Sequence, residues 1–317
     1  MFNKEEIGDK SILKNNYGIV MAGGGAKGAY QAGAIKALSE AGLLERINFA
    51  SGSSIGAINM CLLSQNNPTD GIKLWNSVDF LDIIDIDVRL IDGKEGIGSR
   101  EGLVKIINKN IDMNKMITSK INFYATVSEF SKKNSLPKAK YIYLNEYEPD
   151  MIINILLASS ALPVLYEPVD VEGVVYKDGG LTDNLPIKPL YDRGVRNFIV
   201  VLLSDTKKVP VENYHDANFI IIRPSISLGD LITGTLNFSK NEIQLREKLG
   251  YYDTIRVLKY YNTHVSKADD FEEFMAENAK NDLSIIKTEI MYDKSQNNFN
   301  KSMNKIDHIL EKYGLKE

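Results

Sequence analysis

The sequence predicts an α/β fold with a mostly parallel central sheet, followed by a helical C-terminal region. Three observations support this prediction. Short apolar segments alternate with helical segments from about residue 17 to residue 224, the first two apolar segments end in glycine-flanked turns, and the chain becomes polar with helical spacing after Pro224. Apolar strands separated by helices are typical of a parallel sheet that helices cover on both faces.

Composition limits the classes of function. The 317 residues are 25% charged and carry a formal net charge of −4, so a basic surplus for nucleic-acid binding is absent. Residues 1–16, interpreted as an N-terminal tail, are acidic where a signal peptide is basic, and no apolar run reaches the roughly 18 residues of a membrane span. We therefore expect a cytoplasmic protein. The single cysteine, Cys61, lies in an apolar run and is expected to be a buried thiol.

The first two strands and their following helices are the clearest elements. The apolar segment Tyr17–Ala22 ends at glycine, and the helical segment after it has a natural stop at Gly42. A second strand, residues 47–54, leads into an apolar helix that begins at Ile55. Further strands are predicted at residues 121–130, 141–144, 174–176, 197–203 and 218–224.

The C-terminal part is predicted to be helical. We expect one catalytic domain of residues 17–224, and a helical region of residues 225–317 that packs on it or is appended to it. Ser239 is a candidate N-cap, and Glu242 follows three residues later, as in a capping box.

A run of three glycines, Gly23 to Gly25, lies between the first strand and the first helix. Together with Gly28 it satisfies the dinucleotide pattern G-x-G-x-x-G. That pattern needs an acid at the end of the next strand, and none stands there. A phosphate loop would need Ser or Thr after Lys27. The stronger alternative is that the glycines expose backbone N–H groups to an oxyanion.

The second strand ends in Gly52-Ser-Ser-Ile-Gly56, which matches the nucleophile-elbow pattern G-x-S-x-G between a strand and a helix. Ser54 is the central serine and the candidate nucleophile. A chance match is the alternative in a chain with 23 glycines. Because the first two strands of a parallel sheet end at the same edge, we expect the glycine run to lie beside Ser54.

A serine nucleophile needs a base that takes its proton. Asp178 follows a short strand and precedes two glycines, which makes it a candidate; the alternatives are an ordinary Asp-Gly turn and the neighbouring Asp183. Asn184 and Pro186 are interpreted as turn formers. The histidines stand in polar surroundings that favour surface positions: His215, His264 and His308.

Taken in order, these motifs resemble the patatin-like phospholipases, a family of lipid acyl hydrolases with a Ser-Asp dyad. The matching segments are residues 23–33, 52–59, 158–169 and 178–190. The resemblance implies a three-layer α/β/α sandwich. It implies Ser54 as nucleophile and Asp178 as base. It also implies an oxyanion loop formed by Gly23, Gly24 and Gly25. Lys27 stands where the family has Arg or Lys, and either orders this loop or contacts a lipid phosphate.

The sequence thus predicts a lipid acyl hydrolase, similar to phospholipase A or lysophospholipase, that needs neither metal nor cofactor. Its expected substrate is a phospholipid or another acyl-ester lipid, which allows peripheral contact with a membrane surface. The alternatives are a soluble acyl esterase or thioesterase, and a non-catalytic lipid- or nucleotide-binding protein. Residues 74–107 mix apolar residues with acids and glycines, and form either a core connection or a cover over the site.

Overall fold

The structure is a computed structural model that describes residues 15–65, 67, 70–77, 85–86, 98–130, 136–163, 165–263 and 271–312. Side chains are described for these residues except 85–86, 98–99 and 306–312. Most of the predicted N-terminal tail and much of the segment 74–107 lie outside them. The strands are β1 Tyr17–Met21, β2 Ile47–Ser53, β3 Asp85–Ile86, β4 Gly98–Ser99, β5 Asn122–Glu129, β6 Lys138–Tyr143, β7 Val169–Val171, β8 Val174–Asp178, β9 Asn197–Val201 and β10 Asn218–Ile222. The helices are α1 Ala29–Glu40, α2 Ile55–Met60, α3 Asp70–Ser77, α4 Glu101–Asn110, α5 Met113–Ile117, α6 Pro149–Ser159, α7 Lys188–Tyr191, α8 Lys240–Thr263 and α9 Phe271–Lys312.

The central sheet has the strand order β10-β9-β1-β2-β5-β8-β7, with β6 paired to β5. The five strands from β10 to β5 are parallel, whereas β6, β7 and β8 run antiparallel to their neighbours. Every residue of β1 is buried, which shows that both faces of the sheet are covered. The predicted α/β class with a mostly parallel, helix-flanked sheet is confirmed.

Strand β7 is absent from the sequence-based prediction. It pairs with β8 across the two-residue turn Glu172-Gly173, in which both residues have positive φ, 53° and 81°. Two positive φ values are the mark of the tight hairpin turn that suits the twist of antiparallel strands. The hairpin adds β7 as the edge strand beyond β8, which itself pairs antiparallel with β5.

The register of the sheet brings the ends of β2 and β8 together. Ser53 of β2 pairs with Thr126 of β5, and Asp178 of β8 pairs with the next residue, Val127. Strand β6 occupies the other edge of β5 at both positions. Strands β2 and β8 therefore approach each other end to end along one edge of β5.

The glycine predicted to end α1 does so. Gly42 has φ 75°, and its N–H donates to the Ser39 carbonyl at 2.9 Å. The next N–H, of Leu43, donates to the Leu38 carbonyl at 2.9 Å. This pair of hydrogen bonds is the Schellman arrangement, which satisfies the last carbonyls of a helix.

Helix α8 packs on α1 at two glycines. A Cβ at Gly33 would lie 1.9 Å from the Glu247 carbonyl oxygen, and a Cβ at Gly250 would lie 1.9 Å from the Tyr30 carbonyl oxygen. The two backbones can approach this closely only because neither glycine has a side chain. The domain boundary, expected between residues 224 and 225, stays a prediction.

Helix α8 begins directly after Ser239, as the N-cap prediction requires. The predicted capping box does not form, because the Ser239 N–H donates to Asn237 Oδ1 at 3.1 Å instead of to Glu242. Helix α9 packs on α8 through the buried Ile286. Within the described residues, no helix is both long enough and apolar enough to cross a membrane.

Candidate active site

Ser54 stands in a sharp turn between β2 and α2. Its backbone has φ 53° and ψ −127°, a region that residues with a side chain rarely adopt. The flanking glycines allow the turn: a Cβ at Gly52 would lie 2.4 Å from the Gly56 carbonyl, and a Cβ at Gly56 would lie 2.2 Å from the Met21 carbonyl. This strained strand-to-helix turn is the nucleophile-elbow geometry.

The hydroxyl of Ser54 donates a hydrogen bond to Asp178 Oδ2 at 2.7 Å. The other oxygen, Oδ1, accepts from the Gly180 N–H at 2.8 Å. Asp178 is only 3% exposed. This burial raises its pKa to about 6, although the hydrogen bonds from Ser54 and Gly180 oppose the rise. The pair combines a hydroxyl with a carboxylate of increased basicity, which is the chemistry of a nucleophile and its base.

The neighbouring serines are engaged elsewhere or enclosed. Ser51 Oγ donates to the Pro186 carbonyl at 2.6 Å, and Ser53 Oγ is buried without a partner within the described residues. Asp183, the competing carboxylate, accepts from the Tyr141 hydroxyl at 2.8 Å and from the Leu185 N–H at 3.0 Å. These contacts give Asp183 a structural setting away from Ser54.

None of the three histidines has a described contact with Ser54. His215 is exposed and lies outside the cavity that contains Ser54. His264 lies outside the described residues, and the side chain of His308 is not described.

The three glycines of the loop after β1 differ in their hydrogen bonding. Gly25 has φ 55°, and a Cβ there would lie 2.4 Å from the Thr235 carbonyl oxygen. Within the described residues, the N–H groups of Gly24 and Gly25 have no hydrogen-bond partner. The N–H of Gly23 instead donates to Asn184 Oδ1 at 3.1 Å. Two donors are therefore free to bind an anion, and the third is already engaged.

Two polar residues, Asn184 and Ser159, were assigned no site role in the sequence analysis. Asn184, interpreted as a turn former, binds both backbone polar groups of Gly23: its Oδ1 accepts the N–H at 3.1 Å, and its Nδ2 donates to the carbonyl at 3.2 Å. Ser159 accepts the Ser54 N–H at 3.0 Å and donates to the Thr126 carbonyl at 2.7 Å. Both lie within the family-like segments 158–169 and 178–190, which was the one signal available.

A cavity of about 290 Å³ opens beside Ser54 and Asp178. Apolar side chains line much of it: Ile55, Ile58, Leu103, Leu162, Leu165, Tyr166, Leu181, Leu231, Leu236 and Phe238. Leu103 belongs to the segment 74–107, for which a cover was one of the alternatives. Leu231, Thr235, Leu236 and Phe238 come from the C-terminal region. An apolar chain beside the serine would be in contact with these walls.

Lys27 does not line this cavity. Its side chain lies against Gly234, where an added Cβ would be 2.4 Å from Lys27 Cε. Burial lowers the pKa of Lys27, and the nearby Arg246 lowers it further. Its predicted contact with an anion stays a prediction.

A larger cavity, of about 560 Å³, lies between α1, α8 and α9. Many of its charged side chains are already bound to one another or to tyrosines. The Tyr251 hydroxyl donates to Glu40 at 2.6 Å, and Lys248 Nζ lies 2.9 Å from Glu289. Its lining contains no serine or cysteine, so the candidate active site is the smaller cavity at Ser54.

Several curated proteins are similar to this chain. Lysophospholipase nte1 of Aspergillus terreus is 24% identical over 217 residues, and neuropathy target esterase sws of Drosophila melanogaster is 25% identical over 212 residues. These matches cover 66% and 65% of this chain but only 13% and 14% of the relatives. A probable lipid hydrolase, 463L, of Invertebrate iridescent virus 6 is 29% identical over 184 residues, covering 53% of this chain and 61% of the relative.

Two solved structures show a distant resemblance. VipD from Legionella pneumophila has 16% sequence identity and a TM-score of 0.45, with 94% of this chain and 80% of that chain covered. ExoU in its complex with SpcU from Pseudomonas aeruginosa has 15% identity and a TM-score of 0.41, with 93% and 64% covered.

The family assignment depends on a different comparison. The model of the patatin-like phospholipase family matches residues 19–191, which is more than half of the 317 residues. The match contains the glycine loop, Ser54 and Asp178, and it agrees with the resemblance seen in the sequence motifs. This chain belongs to the patatin-like phospholipase family.

Proposed function

We propose that this protein is a serine lipid acyl hydrolase in which Ser54 is the nucleophile and Asp178 is the base. The observation that carries the proposal is the 2.7 Å hydrogen bond from Ser54 Oγ to Asp178 Oδ2 inside an apolar cavity. Membership of a lipid hydrolase family supports the same chemistry.

The proposed reaction uses these groups in two stages, acylation and deacylation. Ser54 Oγ attacks the ester carbonyl carbon while its proton passes to Asp178. The carbonyl oxygen becomes an oxyanion, and the free N–H groups of Gly24 and Gly25 are the proposed donors to it. When this intermediate collapses, Asp178 returns the proton to the departing alcohol and an acyl-serine remains. Water then attacks the acyl-serine while Asp178 takes its proton. The bond between Ser54 Oγ and the acyl carbon breaks, Asp178 returns the proton to Oγ, and the carboxylic acid leaves.

The proposed substrate is an acyl-ester lipid. The walls of the cavity are largely apolar and suit an acyl chain, and a volume of about 290 Å³ holds part of such a chain. The relatives' names, a lysophospholipase and a probable lipid hydrolase, support a phospholipid or lysophospholipid. A cytoplasmic location with peripheral contact to membranes is part of this proposal.

A fluorophosphonate probe tests the nucleophile. We expect the probe to label Ser54 in the native protein and not in a Ser54→Ala variant, while Ser53→Ala serves as the matched control and keeps labelling. Asp178→Asn keeps the shape of the side chain and removes the proton acceptor, so hydrolysis of a soluble ester should fall by at least about 10²-fold. Full activity in Ser54→Ala, with loss in Ser53→Ala, would contradict the assignment.

The histidines provide the decisive control for the base. We expect a variant with His215, His264 and His308 all replaced by alanine to keep most of its activity. If this variant were folded but inactive, the base would be a histidine and the proposed dyad would be wrong.

A further inference from the structure

An exposed apolar edge lies at the mouth of the candidate active site. Leu231 is 58% exposed and Ile232 is 74% exposed in a π-helical turn that spans Leu231–Thr235. Leu181, directly after the glycines that follow Asp178, is 47% exposed. Leu231 and Leu181 also line the cavity, so the exposed apolar surface continues into the cavity wall. We call Leu181, Leu231 and Ile232 the apolar rim.

The turn is held from within. Asp230 Oδ1 accepts the N–H groups of Ile232 and Thr233, each at 2.8 Å, and Thr233 Oγ1 accepts the Asp230 N–H at 3.1 Å. This reciprocal pair is a capping box. The exposure of Leu231 and Ile232 is therefore fixed by hydrogen bonds within the turn.

A buried arginine of α8, Arg246, donates hydrogen bonds to carbonyl groups in and just after the turn. Arg246 is 1% exposed and donates to the carbonyl of Thr233 at 3.1 Å and to that of Asn237 at 2.8 Å. The same segment also touches the oxyanion loop, because Thr235 packs on Gly25. The fold thus holds two large apolar side chains in water next to the proposed catalytic groups.

We propose that the apolar rim docks on the surface of a lipid aggregate, with Leu231 and Ile232 inserted among the acyl chains. The proposal rests on the proposed function for its substrate and adds the surface that meets it. Large apolar side chains exposed together mark interaction sites. Because this surface is continuous with the cavity wall, a lipid partner can pass an acyl chain from the hydrocarbon region to Ser54 along apolar contacts. This continuity favours a lipid aggregate as the occupant, because a lipid supplies both the surface and the acyl chain that the cavity would accept.

Ile232 separates docking from catalysis, since it belongs to the rim but does not line the cavity. Ile232→Ser removes most of one inserted apolar side chain. We expect binding to phosphatidylcholine vesicles to weaken about tenfold, and hydrolysis of vesicle lipid to fall with it. Hydrolysis of a short soluble ester should not change, because that substrate needs no docking.

Tryptophan fluorescence measures docking without any reaction. The chain has one tryptophan, Trp75, which is 2% exposed and reports little from the surface. We would place Ile232→Trp in a Ser54→Ala background and add phosphatidylcholine vesicles, which carry no net charge. Val211→Trp is the matched control, because Val211 is 42% exposed in another turn and does not line the cavity.

We expect the emission of Ile232→Trp to shift to shorter wavelength with vesicles, and that of Val211→Trp to stay unchanged. No shift at Ile232→Trp, an equal shift at both positions, or unchanged vesicle binding by Ile232→Ser would each overturn the docking proposal. Failure of the proposed function is a separate outcome, since it requires activity or labelling to persist in Ser54→Ala whatever the fluorescence does.

Discussion

Asp178 shows, at the scale of one residue, how burial increases the basicity of a carboxylate. A carboxylate in water is a weak base near neutral pH, and burial raises the pKa of Asp178 to about 6. The group stays ionised at pH 7 and still accepts a proton readily. We predict that kcat/KM for a soluble ester falls tenfold for each pH unit below about 6, because only the ionised form can act. A rate that stays constant down to pH 4 would show that Asp178 is not the base.

The same burial destabilises the folded protein at neutral pH. The folded state binds the Asp178 proton up to about pH 6, whereas an unfolded chain releases it near 3.8. The free energy of unfolding therefore falls as the pH rises through this window, and the penalty is absent below about pH 4. We predict that Asp178→Asn, although inactive, raises the free energy of unfolding by roughly 1–2 kcal/mol at pH 8, after one lost hydrogen bond is subtracted.

Urea unfolding of both proteins at pH 8 and pH 4.5 checks this prediction. The advantage of the variant should shrink at the lower pH. A destabilised variant at pH 8 would mean that the hydrogen bonds to the carboxylate outweigh its desolvation.

We infer that Asn184 positions the glycine loop, because both polar atoms of its side-chain amide bind the backbone of Gly23. We predict that Asn184→Ala lowers kcat by about 10–100-fold and changes KM little, since Gly24 and Gly25 would lose their fixed orientation. Asp183→Asn is the control on the same loop and should keep most of its activity. A change confined to KM would assign Asn184 to substrate binding instead.

The sequence identifies the proposed reacting residues better than the residues that support them. Ser54 and Asp178 stand in local turn patterns that made them candidates, and the family resemblance implied their roles. Asn184 and Ser159 act across 161 and 105 residues of chain, through hydrogen bonds that no local pattern encodes. Gly23 shows the same limit, because its predicted N–H donor is taken by Asn184.

At the scale of elements, the contact between α1 and α8 depends on two glycines. A glycine inside a helix ordinarily gains stability on replacement by alanine, by about 1 kcal/mol. At Gly33 and Gly250 we predict the opposite sign, a loss of about 1–3 kcal/mol or more, because each new Cβ would lie 1.9 Å from a carbonyl oxygen.

Thermal unfolding of the two alanine variants measures this loss. Gly194→Ala is the comparison, because Gly194 has φ 86° and no atom within 4 Å of an added Cβ. It should cost only the strain of a left-handed alanine, about 1–2 kcal/mol. Stabilisation by Gly33→Ala would mean that α1 and α8 are not in contact as described.

The strands were predictable where apolar runs end in glycine, and less so where pairing is antiparallel. Strand β7 has only three residues, and its partner is set by the hairpin turn at Glu172-Gly173. That turn fixes the direction of β8 relative to β7 only. The antiparallel pairing of β8 with β5, which the apolar run at residues 174–176 does not reveal, is what brings Asp178 to Ser54.

At the scale of the whole molecule, the functional unit extends beyond the segment that defines the family. The family match ends at residue 191, yet Thr235, Leu236 and Phe238 line the cavity. Helix α8 holds this lining in place through Arg246 and through its contact with α1. Sequence patterns predicted helices here but no role, because these residues line the cavity only through packing against segments that are far away in the chain.

The two halves of α9 are expected to contribute very differently. In its first half, Ile286 is fully buried, and Asp282 and Glu289 bind Arg256 and Lys248 of α8. The described side chains from 294 to 305 are all exposed.

We predict that a chain ending at Gln296 has a free energy of unfolding within about 0.5 kcal/mol of that of the full chain, because it loses no buried contact among the described residues. A chain ending at Thr263 should lose about 3 kcal/mol or more, since it uncovers apolar surface on α8 and removes partners of its charged residues. Urea unfolding and hydrolysis of a soluble ester, measured on both truncated chains, check the prediction. Equal stability of the two would show that α9 does not support the catalytic unit, and a large loss already at Gln296 would show that its exposed half makes a contact of its own.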